Sequence, residues 1–198
     1  MNKGRLEAFS DGVIAILITI MVLELRPPSA GDWSALKPLV PVLLTYLLSF
    51  IYLGIYWSNH HHMLHATRQV TGGILWANLH LLFWLSLVPA TTEWVDQTRY
   101  AAIPTALYGA VLLMAAVAYW ILQQLIIRSQ GNGSLLKLAV QGDWKGKLSP
   151  ALYGIAVGIA FWYPLAAVAI YVLVALIWLV PDRRIERVLA QRAANERA

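Results

Sequence analysis

Three stretches of this chain, Leu39 to Trp57, Gln69 to Thr92 and Tyr100 to Ile127, each run without a charged side chain. A helix rises about 1.5 Å per residue, so about 20 such residues cross the roughly 30 Å hydrocarbon core of a bilayer. Hydrophobic residues make up 59% of the sequence and charged residues 13%. A soluble domain carries about a quarter charged and leaves much of its surface in water, so no soluble core absorbs this composition. Lipid is the solvent the sequence implies.

Two further stretches complete the pattern. The first begins near Arg5, carries Asp11 in its first turns and runs free of charge from Val13 to Leu23. The last, Leu148 to Pro181, is about 34 residues long, enough for two short spans. Trp162-Tyr163-Pro164 supplies the break between them. Proline removes a backbone donor and disfavours helix at the preceding residue, and aromatic rings suit the headgroup level. The expected fold is an all-α integral membrane protein, one domain over residues 1–198, with spans near 4–25, 36–59, 69–92, 100–127, 147–162 and 164–181 and a cytoplasmic tail at 182–198. The alternative has five spans, the last two fused into one kinked helix.

In the six-span layout Lys3, Arg5, Arg68, Arg128, Lys137, Lys145 and Lys147 fall on one side, together with Arg183, Arg184, Arg187, Arg192 and Arg197. The opposite loops hold Arg26, Lys37 and Arg99 against Glu24, Asp32, Glu93 and Asp96. The positive-inside rule then places both termini in the cytoplasm. The net charge of +5 is spread between apolar runs rather than gathered on one soluble face, so nucleic acid is not an expected partner. The first apolar run continues into Glu24-Leu25-Arg26-Pro27-Pro28 without a small-residue cleavage site, so a cleaved signal peptide is not expected. There is no cysteine, which excludes disulfide scaffolds, thiolate metal sites and cysteine nucleophiles.

Polar residues within apolar helices are costly unless they find partners or water, and so they are informative. Arg5 and Phe9 share a helix face, whereas Asp11 lies off it. Asp11 is expected to pair with another helix, through Trp57, Asn59, His60 or His61 at the end of the second span or Asn78 in the third. The plainer reading is a helix-start acid favoured by the macrodipole. His60, His61, His62 and His65 raise the question of a metal, but no carboxylate follows at ligand spacing and consecutive histidines point about 100° apart. Hydrogen bonding is the expected role for them and for His80. There is no serine elbow, Walker loop, dinucleotide fingerprint or pair of intramembrane carboxylates, so neither an enzyme nor a cofactor is expected. A proton-coupled cation exchanger would show mid-membrane ionisable groups in repeated halves, and none are evident. It stands as an alternative, beside a structural or assembly role, to a channel. Ile16, Ile20 and Leu23 lie on one stripe of the first span with Thr19 beside them. Periodicity does not say whether that stripe faces a pore, lipid or another helix.

Arg5 followed by Phe9-Ser10-Asp11 resembles the R-x-x-x-F-S-D signature of the transmembrane protein 175 potassium-channel family. Tyr56-Trp57-Ser58-Asn59-His60-His61, Asn78-Leu79 and Pro89 extend the resemblance over most of the chain, while the fifth and sixth spans match no motif. It implies a homotetramer in the bacterial inner membrane, with self, lipid and permeant potassium as partners and the pore lined by the first span. Ile16, Ile20 and Leu23 then form a hydrophobic constriction, Thr19 supplies the pore hydroxyl, and Arg5, Phe9, Ser10, Asp11, Trp57, His60, His61 and Asn78 bolt the helices together. Such a pore would prefer potassium over sodium modestly. Glu24 either concentrates cations at the outer mouth or is an exposed carboxylate beside Arg26.

Overall fold

A computed structural model describes residues 2–28, 32–67, 69–131, 134, 136–137 and 144–179, so Arg68, Arg183, Arg184, Arg187, Arg192, Arg197 and the rest of the 182–198 tail lie outside the described residues. Helix α1 spans Lys3–Leu23, opened by the Asn2 side chain, which accepts from the Gly4 amide. A 3₁₀ turn at Trp33–Leu39, capped by Asp32, leads into α2, Val40–His65. This helix carries His60, His61 and His62 within its last turns, past the 59 expected from charge alone.

The third span consists of two helices, α3 at Gly72–Ser86 and α4 at Val88–Gln97. The break has a local cause: Pro89, second in α4, offers no N–H and crowds the carbonyl one turn back. The span ends at Arg99 and Tyr100, with φ of 51° and 62°, and the Tyr100 amide closes the turn on the Val95 carbonyl at 3.0 Å. Helix α5 follows at Ala102–Gln130, then α6 at Trp144–Ala160 and α7 at Pro164–Leu179. Between α6 and α7, Phe161, Trp162 and Tyr163 form an exposed turn, and Pro164 takes the first position of α7, where its missing N–H costs nothing. Among the described residues, Lys3–Leu23, Trp33–His65, Gly72–Gln97 and Ala102–Gln130 are long and apolar enough to cross a membrane. Helices α6 and α7 are shorter, at 17 and 16 residues.

Hydrogen bonds sort the helix ends into two groups. At one end Lys3 Nζ donates to the His65 carbonyl (2.8 Å), Gln130 Nε2 to that of Ala66 (2.9 Å), and Lys145 Nζ to that of Ile177 (2.9 Å). At the other end the Tyr100 hydroxyl meets Thr45 Oγ1 at 2.8 Å and donates to the Pro41 carbonyl at 3.3 Å. Successive spans therefore alternate in direction. The first end carries Lys3, Arg5, Arg128, Lys145 and Lys147; the second carries Arg26, Lys37 and Arg99 with Glu24, Asp32, Glu93 and Asp96.

Helix α5 packs against α3, α4, α6 and α7. Small buried residues allow the approach: Ala106, Ala115 and Ala118 on α5, Ala156 and Ala160 on α6, Ala167 and Ala175 on α7. In lipid, where burial of apolar surface drives little, such close packing is the main source of helix association. At Gly109 the Tyr171 hydroxyl occupies the space a Cβ would need.

Candidate functional site

Helix α1 has two faces. Leu6, Ser10, Ile14, Leu17 and Met21 are buried against the bundle, at spacings of three and four that define one side of a helix. On the other side Phe9, Ile16, Ile20 and Leu23 are 52%, 57%, 43% and 80% exposed, and Arg5, Gly12 and Thr19 are exposed with them. Thr19 Oγ1 donates to the Ile16 carbonyl at 2.9 Å, which commits its proton to the helix and leaves its oxygen lone pairs outward. One chain therefore leaves an apolar face uncovered along the length of α1, interrupted by a hydroxyl and a glycine.

The buried side is braced by polar contacts at the Lys3 end. Trp57 Nε1 donates to Asp11 Oδ1 at 2.9 Å. Asn78 does not reach Asp11; its Nδ2 donates to Ser10 Oγ at 2.9 Å, while its Oδ1 lies 2.7 Å from His60 Nε2. Ser10 in turn donates to the Leu6 carbonyl at 2.8 Å. Ser10, His60 and Asn78 are all fully or nearly fully buried, at 0%, 1% and 0% exposure. With the Asn78 oxygen accepting, His60 Nε2 carries the proton, so the imidazole, the amide and the hydroxyl join α1, α2 and α3 in one line. His61 is exposed, its ring stacked between Trp57 and His65 at centroid distances of 6.3 and 6.2 Å. Arg5 is exposed, and Phe9 lies on the open face. His80 accepts from Trp84 Nε1 at 2.9 Å, one turn away on the same helix. Among the described residues no three His, Asp or Glu side chains converge as metal ligands.

A second polar knot carries no sequence motif. Ser49 Oγ lies 2.7 Å from Thr92 Oγ1 and 3.0 Å from the Tyr108 hydroxyl, tying α2, α4 and α5 at the other end. Its signal in the sequence is slight, single hydroxyl residues inside apolar runs. Glu24 follows α1 there, half-buried at a cleft of about 420 Å³ lined also by Arg26, Glu93 and Asp96. It sits about 80° around the helix from Ile16 and, among the described residues, no ion pair joins it to Arg26. Burial, then the Glu93 and Asp96 carboxylates, hold its pKa above its ordinary value of 4.5.

The sequence profile of the family described as endosomal/lysosomal potassium channel TMEM175 matches residues 5–89. A protein of Chryseobacterium sp. (strain P1-3) named a potassium channel is 53% identical across 96% of this chain and 100% of its own length. This chain belongs to the TMEM175 potassium-channel family. The crystal structure of a lysosomal potassium-selective channel TMEM175 homolog from Chamaesiphon minutus superimposes with a TM-score of 0.79 at 26% identity, over 91% of this chain and 97% of that one. The human endosomal/lysosomal proton channel TMEM175 is 32% identical over 36% of this chain and 16% of its own length. The TMEM175 family is one of ion channels rather than enzymes, and the match begins at Arg5, on the helix whose outer face is open.

Proposed function

We propose that this protein is a homotetrameric potassium channel of the bacterial inner membrane, both termini cytoplasmic, with four copies of α1 surrounding the pore. The observation that carries this reading is the face of α1 from Phe9 to Leu23, uncovered in a single chain while the opposite face is braced. Membership of a channel family makes that face the candidate ion path. The concentration of cations at the Lys3 end of the bundle supports the orientation.

Rings of Ile16, Ile20 and Leu23 close the path by excluding water, and a small outward tilt of the four helices wets it. Potassium sheds water at lower cost than sodium, so narrow apolar rings with Thr19 oxygens between them favour potassium modestly. The brace at Asp11 and Asn78 holds each α1 against its own α2 and α3, so that the helix moves as part of its subunit. Purified protein in liposomes tests the reading: a potassium gradient should drive flux that is linear in driving force and needs no counter-ion gradient. Saturating flux that requires a proton gradient would indicate an exchanger, and absence of potassium flux at every voltage and pH would indicate a structural or assembly role.

A further inference from the structure

A cavity of about 400 Å³ opens between α2, α5 and α6, with Trp178 of α7 at its edge. Helix α1 takes no part in it. Asn59, Gln123, Lys147 and Trp178 all lie within two turns of the helix ends that carry Lys3, His65 and Gln130, so the cavity sits at headgroup depth. Two of its lining side chains, Tyr56 and Gln123, are each only 8% exposed, yet among the described residues neither the Tyr56 hydroxyl nor the Gln123 amide has a hydrogen-bond partner. Neither group is sealed from solvent-sized space, so both face into the cavity. Donors that face such a space without a protein partner are free to bind acceptors that enter it, and a resident ligand offering acceptors can satisfy them. Among the described residues the lining includes Lys147 and no carboxylate, which suits a ligand whose polar part is neutral or anionic. Trp120, Trp178 and Tyr153 supply aromatic walls for an apolar part.

We propose that this cavity binds an anionic glycerophospholipid of the adjoining leaflet, its phosphate toward Lys147 and its glycerol oxygens toward Gln123 and Tyr56. No residue of α1 lines the site, and lipid binding there does not rest on the channel reading.

The test is a titration of the purified full chain in detergent, in which dioleoyl phosphatidylglycerol and dioleoyl phosphatidylcholine are added in parallel and bound lipid is counted by native mass spectrometry. Phosphatidylglycerol should be retained more tightly. Gln123→Leu and Lys147→Glu should each weaken its retention about tenfold, equivalent to about 1.4 kcal/mol; Lys147→Glu should leave phosphatidylcholine unchanged, whereas Gln123→Leu should weaken both lipids, which share the glycerol oxygens. Without lipid, Gln123→Leu should unfold at the same temperature or higher, since an amide with no partner is replaced by an apolar side chain of similar volume. If that variant does not fold, Ala116→Phe, which fills the cavity from α5, carries the same expectation. Equal retention of the two lipids, phosphatidylglycerol binding unchanged in the variants that fold, or its displacement by inorganic phosphate alone would overturn the proposal.

Discussion

Asn78 is the side chain on which three helices meet, and its two ends are not equivalent. Ser10 retains its bond to the Leu6 carbonyl if Asn78 is lost, but the buried His60 Nε2 loses the oxygen 2.7 Å away. Asn78→Leu should therefore destabilise by about 1–3 kcal/mol per subunit, and Ser10→Ala, which leaves the buried Asn78 Nδ2 without its acceptor, by a similar amount, each read as a lower unfolding temperature in detergent. Asp11 separates charge from geometry: Asp11→Asn can keep an oxygen facing Trp57 Nε1, so the proposed tetramer should survive it and not Asp11→Ala, and size-exclusion chromatography in detergent compares them. On the open face, Ile16→Asn places amides on the candidate constriction; potassium conductance should rise and preference over sodium should fall. Ile14 is a poor control for that experiment because it is 1% exposed in the core, where a new amide would find no partner. Val22, 46% exposed and about 120° around the helix, should accept Asn with conduction intact. If Val22→Asn alone changes selectivity, the ion path lies on another face of α1.

The elements differ in how plainly their ends are written. Each charge-free stretch falls on a helix, but α4 runs past Thr92 through Glu93 and Asp96 and the 3₁₀ turn at Trp33–Leu39 had no such signal; Trp162-Tyr163-Pro164 marked the turn between α6 and α7. The continuation of α2 through His60, His61 and His62 was less plain, because hydropathy falls there while the backbone has no reason to stop; no proline or glycine intervenes before His65. The division of the third span at Leu87 could be read from Pro89, whereas its end at Arg99 and Tyr100 could not, since neither residue type favours the left-handed region. That turn is held by tertiary contact: the Tyr100 hydroxyl reaches Thr45 and Pro41 on α2. A non-glycine residue in this conformation costs roughly 1–2 kcal/mol. Arg99, with φ of 51° and its side chain exposed, is the place to recover some of it. Arg99→Gly should raise the unfolding temperature in detergent, and a fall would mean that the arginine side chain stabilises the turn more than its backbone conformation strains it.

At the scale of the whole molecule the sequence carried the architecture and the family, but not which polar groups meet, because hydrogen bonds between helices depend on rotation and tilt. Asp11 visibly needed a partner, and five were open; only packing places Trp57 beside it and sends Asn78 to Ser10. The acidic end of the bundle depends on folding in the same way, since Glu24 is far in sequence from Glu93 and Asp96, which are neighbours on α4, yet the three share one cleft. Burial and the other two carboxylates raise the Glu24 pKa, so the folded protein binds its proton more readily than the unfolded chain. The contribution of Glu24 to stability should therefore fall as pH rises from 4.5 through the raised value, then level off. In the proposed tetramer the same titration acts on conduction. Ionised Glu24 attracts cations toward the pore from the side. Acidifying that side should lower potassium conductance beginning above the usual carboxylate range. At about 0.01 M salt the Debye length is roughly 30 Å and the effect should be large, while at about 1 M it shrinks to roughly 3 Å and the effect should vanish. Glu24→Gln should flatten the low-salt pH response in single-channel recordings without changing conductance at high salt. A response that survives Glu24→Gln would show that this carboxylate does not feed the ion path.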